Sequence, residues 1–208
     1  MVLTWLFGGF STNVEEQLAF YGAYHSNPYN QIIHVIFVPM IWFTAAIWLA
    51  YTPPLMSFVP YWCNASFVVY LLYAVYYMVL DFETAMFVDL FYLGLLLLAN
   101  AIVHKEQITD RSKKSGDASA KPSGTRSFFA AKVALVLHIF AWYTQVHWGH
   151  VLFEGRKPAL LDSFVQSLTL APLFVFYEVI WFFVPGYKSE MHANVEALVR
   201  AAQANIKI

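Results

Sequence analysis

The sequence predicts an all-α integral membrane protein, a helical bundle with four or five hydrophobic spans and short interfacial helices. Three observations lead there. Hydrophobic residues make up 60% of the 208-residue chain and charged residues only 12%, against roughly 25% charged in a typical soluble domain. Aromatic residues reach 19%, with seven Trp and 13 Tyr, which suit membrane interfaces. Apolar runs with few charges alternate with short polar breaks. The length suits one bundle, so a single membrane-embedded catalytic domain is expected over residues 1–208. A formal net charge of −1 gives no reason to expect a nucleic-acid partner. Cys63 is the only cysteine, so no intrachain disulfide is possible. No basic stretch precedes an apolar one at the N-terminus, so the first span is expected to serve as the targeting signal.

In chain order, residues 1–11 are apolar but too short to span and are expected on the interface. Ser11 or Thr12 is expected to cap a short helix that carries Glu15 and Glu16 in its first turn and runs to about Tyr24. Asn27-Pro28 breaks it, because the residue before proline is pushed out of the α region. Asn30 is the candidate cap of the next helix. Five apolar segments follow, over 32–51, 66–80, 86–103, 128–146 and 163–184. The second and third could form a hairpin that does not fully cross. Residues 104–127 are rich in Lys, Ser, Gly and Asp and read as a flexible polar loop. Residues 185–208 carry Val195, Leu198, Val199 and Ala202 at helical spacing and read as a surface tail helix.

If all five segments cross, His25, His34, His147 and His150 share one side, and the loop 104–127 and the C-terminal tail share the other. Ten of the 12 Lys and Arg then fall on the loop-and-tail side. That side is cytosolic by the positive-inside rule. Asn64-Ala-Ser66 matches a glycosylation sequon, but this topology puts it on the cytosolic side.

The stretch Gln145–Ala159 holds the strongest chemical signal. At about 100° per residue, His147, His150 and Glu154 fall on one face of an α-helix, as metal ligands from one helix do. Imidazoles beside lipid are costly unless paired or ligating. Glu154 is either a third ligand, giving two His and a carboxylate, or a group orienting a ligating imidazole. With four imidazoles in reach, the orienting role is preferred. His25 and His34 are nine apart and would face opposite ways on one straight helix, but the Asn27-Pro28 break removes that obstacle. Tyr21, Tyr24 and Asn30 flank this pair and are candidates to touch the ligands. Arg156 and Lys157 are candidates to attract a substrate carboxylate, against the plainer reading of membrane-flanking cations. His138, nine before His147, is expected to face away as a packed or interhelical residue. Glu178 lies mid-span, as a hydrogen-bonding or a proton-handling group. The HxxxH and HxxHH boxes of di-iron membrane hydroxylases are absent, as are a phosphate loop and a Ser–His–Asp signature.

Two patterns carry a family resemblance. Tyr21-x-x-Tyr24-His25-x-Asn27-Pro28-x-Asn30-x-x-x-His34-x-x-x-x-Pro39 stands early in the chain. Gln145-x-x-x-Gly149-His150-x-x-Phe153-Glu154-x-x-x-Pro158-Ala159 stands far downstream. Together they resemble the fungal 2-hydroxy fatty acid dioxygenases, endoplasmic-reticulum membrane proteins of phytosphingosine breakdown. The resemblance implies Fe(II)-dependent α-oxidation: a 2-hydroxy long-chain fatty acid reacts with O2, loses C1 as CO2, and leaves an acid one carbon shorter. It implies a multi-pass protein of the endoplasmic-reticulum membrane, with membrane lipid around it. Carried over residue by residue, it makes His25, His34, His147 and His150 the iron ligands. Two rival classes remain open at this point. One is a zinc-dependent membrane lipid hydrolase, which needs a water site on zinc. The other is a non-enzymatic lipid-binding membrane protein with structural histidines.

Overall fold

The structure is a computed structural model that describes residues 11–115 and 127–205. The expected interfacial stretch at residues 1–10 lies outside the described residues, as do 116–126 of the polar loop and the last three residues of the tail. Every element among the described residues is helical: α1 (Val14–Gly22), α2 (Pro28–Ala50), α3 (Ala65–Leu80), α4 (Phe82–Ser115), α5 (Phe129–Tyr143), α6 (Phe164–Phe183) and α7 (Ser189–Asn205). A π-helix, Thr144–Glu154, prolongs α5, and a short 3-10 turn, Ala159–Leu161, follows. Four stretches are long and apolar enough to cross a membrane: Pro28–Ala50, Phe82–Ser112, Phe129–Glu154 and Phe164–Phe183. The apolar helix α3 is shorter, at 16 residues, about 24 Å against the roughly 30 Å hydrocarbon core. Large apolar side chains such as Leu72, Leu90, Val136 and Phe183 point outward, as lipid contact requires.

The caps differ from two sequence expectations. Asn13, not Ser11 or Thr12, caps α1, accepting from the backbone of Glu15 and Glu16 at 2.9 and 3.3 Å. Asn27, not Asn30, caps α2, accepting from the Tyr29 N–H at 2.9 Å, with Pro28 at the first helical position, where its missing N–H costs nothing. Asn64 caps α3 and is fully buried, its amide donating to Asn100 Oδ1 at 2.6 Å. The sequon asparagine is therefore a structural residue with no room for a glycan.

Helix α5 packs antiparallel on α2. His138 meets Thr44 at 2.7 Å, and the Trp48 indole donates to the Ala131 carbonyl at 3.1 Å. Helix α4 runs parallel to α2, with Trp42 and Tyr92 ring centroids 5.0 Å apart and the Tyr51 hydroxyl donating to Glu106 at 2.6 Å. The core is filled by Leu18, Tyr77, Leu96, Leu170, Leu173 and Tyr177.

Two expectations about the polar segments are corrected. Residues 104–115, expected in the loop, continue α4. Lys, Glu, Gln and Arg dominate there, and all are good helix formers when exposed. The C-terminal helix α7 lies on the histidine side, not with the polar loop. It packs on α1: Asn194 donates to Glu15 at 3.2 Å, and Gln203 donates to Ser26 and, at 3.4 Å, to the Ala23 carbonyl. The cause is α6. Its start is tied to α1 by Gln166 donating to Gln17 at 3.0 Å. Its end is tied to the α3–α4 turn by Tyr177 and by Lys188, which donates to Asp81 at 2.5 Å. Helix α3 returns toward α1, since the Tyr76 hydroxyl reaches the Ser11 carbonyl at 3.3 Å. Both ends of α6 thus meet the same end of the bundle, and five full crossings do not occur. With Lys188 and Arg200 moved across, the charge bias that oriented the chain shrinks.

Candidate metal centre

Three of the four predicted histidines converge. Chain breaks make this possible: α1 ends at Gly22, His25 sits in the connecting turn, and α2 restarts at Pro28. His25 and His34 ring centroids lie 4.3 Å apart, His25 and His150 4.8 Å, and His34 and His150 5.1 Å. All three side chains are at most 3% exposed. Each offers a ring nitrogen, and these atoms lie within 4.8 Å of one another, so the group could hold one metal ion.

The backbone sets the tautomers. His25 Nδ1 is 2.8 Å from the Tyr21 carbonyl and His34 Nδ1 is 2.9 Å from the Asn30 carbonyl. A carbonyl only accepts, so both Nδ1 atoms carry the proton and both Nε2 atoms present a lone pair. His25 Nε2 and His150 Nδ1 are buried without a hydrogen-bond partner. Buried polar atoms are rarely left so, and a metal ion would satisfy them. Burial, helped by the neighbouring His34 and His150, holds His25 well below the ordinary imidazole pKa, so it is neutral and fit to ligate at pH 7.

His147, the fourth candidate, does not join them. It is exposed on the outer side and stacks on Tyr143, with centroids 5.2 Å apart. The reason is the π-winding of Thr144–Glu154. With i→i+5 hydrogen bonds, each residue turns through less than the ~100° of an α-helix, so a three-residue step falls well short of a full turn. His150 then faces inward and His147 outward. Gly155, at φ 65°, ends the winding in the left-handed region, and the Arg156 N–H closes back on the His150 carbonyl at 3.2 Å.

Glu154 braces the histidine cluster from behind. Its carboxylate accepts from the Ser26 and Asn27 N–H groups at 3.0 and 2.9 Å and from the Asn30 amide at 3.1 Å. One side chain therefore joins the π-helix to the turn holding His25 and to the residue whose carbonyl orients His34. The other flanking candidates divide similarly. Tyr21 stacks flat on His25 at 4.1 Å. Tyr24 points away, donating to Asp162 at 2.6 Å. Burial would raise the Asp162 carboxyl, but hydrogen bonds from Lys157 and Tyr24 outweigh it and hold the pKa low.

The two proposed carboxylate-binding cations are engaged elsewhere. Arg156 donates to the Ala23 carbonyl at 3.0 Å and Lys157 pairs with Asp162 at 2.6 Å. Neither lines the small cavity of about 50 Å3 beside the histidines, which is walled by Tyr21, Trp142, Gln145, Ser167, Leu168 and Ala171 among others. Gln145, Ser167 and Trp142 were missed as site residues. Gln145 and Gly149 were visible in the downstream pattern, but α6 gave no signal. Gly149 has a steric duty: a Cβ there would lie 2.4 Å from Asn30 Oδ1 and 3.3 Å from His34 Cε1.

The family model described as 2-hydroxy-palmitic acid dioxygenase Mpo1-like matches residues 11–182. The 2-hydroxy-palmitic acid dioxygenase MPO1 of Saccharomyces cerevisiae is 30% identical over 197 residues, covering 94% of this chain and 95% of the yeast protein. No solved structure matches the chain.

Proposed function

The chain belongs to the Mpo1-like family, and on that premise we propose that it is an Fe(II)-dependent dioxygenase of 2-hydroxy long-chain fatty acids in the endoplasmic-reticulum membrane. The reaction balances as a 2-hydroxy acid plus O2 giving CO2, water and the acid one carbon shorter. The observation that carries the reading is the meeting of His25, His34 and His150, which come from distant parts of the chain. Neutral imidazoles suit iron and zinc alike, so the donor set supports a metal, and O2 chemistry of the kind the family's description names favours redox-active iron over zinc. A ferrous ion there would supply O2 activation and a positive charge that favours an α-hydroxy carboxylate.

The protein's own residues account for the rest. Three imidazoles, rather than four, would hold an ion with positions to spare for substrate and O2. Tyr21 and Phe174 cover His25, with Phe174 centred 5.7 Å from its ring, and exclude water from that side. Glu154 and Asn30 fix the two turns that carry the ligands. With Arg156 and Lys157 turned away and the Ser167 hydroxyl donated to the Ser163 carbonyl at 2.6 Å, the carboxylate would be left to the metal and to the Gln145 amide in the cavity wall.

The test is O2 consumption by detergent-purified protein supplied with Fe(II) and 2-hydroxypalmitate, with the products followed by mass spectrometry. Pentadecanoate and CO2 formed in step with O2 uptake are expected. Hydrolysis of lipid amides or esters without O2, and with zinc bound, would overturn the reading in favour of a hydrolase.

A further inference from the structure

A larger apolar cavity of about 400 Å3 adjoins the histidine cavity and shares Trp142, Leu168 and Ala171 with it. We propose that it is the binding site for the acyl chain of the substrate, with its far end, at Leu49 and Val69, setting chain length. The inference rests on the functional reading above and adds to it where the tail goes and what measures it.

The first support is alignment. His34, Val38, Ile41, Ala45 and Leu49 follow one another at steps of three or four along α2, so they form one stripe. His34 heads that stripe and the other four line the cavity. A polar head held at His34 therefore feeds its tail straight along the helix. From Val38 to Leu49 the stripe runs about 16 Å at ~1.5 Å per residue. Half of the roughly 30 Å hydrocarbon core, the depth filled by one leaflet's acyl chains, is about the same. The volume also falls in the ordinary range for ligand cavities.

The second support is that polar side chains in the wall are turned away from the lumen. The Trp142 indole can only donate, and it donates to His138 Nε2 at 2.9 Å. His138 Nδ1 therefore carries the proton and gives it to Thr44 Oγ1 at 2.7 Å. The Thr44 hydroxyl in turn donates to the Met40 or Ile41 carbonyl. The Tyr73 hydroxyl bonds the Leu168 carbonyl at 3.3 Å. Ser66 is engaged by Asn64 at 2.6 Å and Asn100 at 2.9 Å. With these groups satisfied, the lumen offers apolar contact, which suits a saturated chain and no hydrophilic ligand. The same relay locks Trp142, the wall common to both cavities.

Two measurements on the full-length protein test the site. In the first, a 2-hydroxy fatty acid with a diazirine near its methyl end is photo-crosslinked and the labelled residues are mapped. Label on Leu49, Val69 or their cavity neighbours, competed by 2-hydroxypalmitate, is expected. Label confined to outward residues such as Leu72 and Val136, or label that 2-hydroxypalmitate does not displace, overturns the proposal. In the second, Leu49→Trp and, from the facing helix, Val69→Phe are compared with the parent on 2-hydroxypalmitate and 2-hydroxydecanoate. Each buried methylene is worth about fourfold in binding, so the ratio of long- to short-chain rates is expected to fall at least about tenfold in whichever variant folds. An unchanged ratio in a folded variant overturns the proposal. Crosslinking needs no turnover. Competed label at Leu49 in a protein that oxidises neither acid would therefore refute the reaction and keep the site.

Discussion

Gly149 and Asn30 touch so closely that a methyl group on the glycine would lie 2.4 Å from the Asn30 amide oxygen. This contact joins the π-helix carrying His150 to the turn that orients His34. Asn30 does three things at once. Its carbonyl accepts from His34 Nδ1, its amide donates to Glu154, and its amide oxygen faces Gly149.

Gly149→Ala must therefore push the two ligand-bearing elements apart. Overpacking of this kind costs about 1–3 kcal/mol. The variant is expected to fold and insert with a lowered melting temperature in detergent, and to lose at least about tenfold in iron affinity. Iron titration followed by a thermal-shift assay checks both. Parental affinity would mean that the contact relaxes without moving His34.

Glu154→Ala removes the acceptor shared by two backbone N–H groups and one amide. Groups that support metal ligands from behind typically cost 10–100-fold in affinity when lost. The variant should bind iron weakly and regain much of its activity when excess Fe(II) is supplied. A metal ligand proper would not be rescued this way, so the response to added iron separates the two roles.

Stability in acid is expected to depend on Asp81. Burial would raise its carboxyl, but hydrogen bonds from Lys188, Thr84 and Tyr177 outweigh this and hold its pKa below the usual 3.8. A carboxyl with a depressed folded-state pKa contributes stability that is present above its unfolded pKa and lost as pH falls through the folded one. The stabilisation should therefore be complete above about pH 5, begin to fall near the unfolded-state pKa of about 4, and vanish only below the depressed folded-state pKa. Lys188→Met should cost about 1–3 kcal/mol at neutral pH and leave a shallower loss on acidification. Melting temperatures from pH 7 down to pH 3 would check this, and equal acid slopes in parent and variant would contradict it.

Most of the site was legible in the sequence, and the exceptions have physical causes. The meeting of His25, His34 and His150 could be anticipated because Asn27-Pro28 announces its break and His150 stands with Glu154 in the downstream pattern. His147 could not be set aside, since nothing in Thr144–Glu154 declares π-winding and an α-helical wheel puts both histidines on one face. The side of the tail was misread because α6 has the length and apolarity of a span, while its course is decided by contacts at Gln17 and Asp81 that no hydropathy pattern contains. Residues 104–115 were read as loop from their polarity, although their helix propensity pointed the other way. The apolar cavity is assembled from four helices, and no stretch of sequence declares which of their apolar faces meet.

Three histidines, and not four, are expected to hold the metal. Iron content per chain should be measured by elemental analysis on anaerobically purified parent, His150→Ala and His147→Ala proteins. The prediction is one iron per chain in the parent and in His147→Ala, and none in His150→Ala. Iron lost from His147→Ala as fully as from His150→Ala, or kept in both, would contradict it.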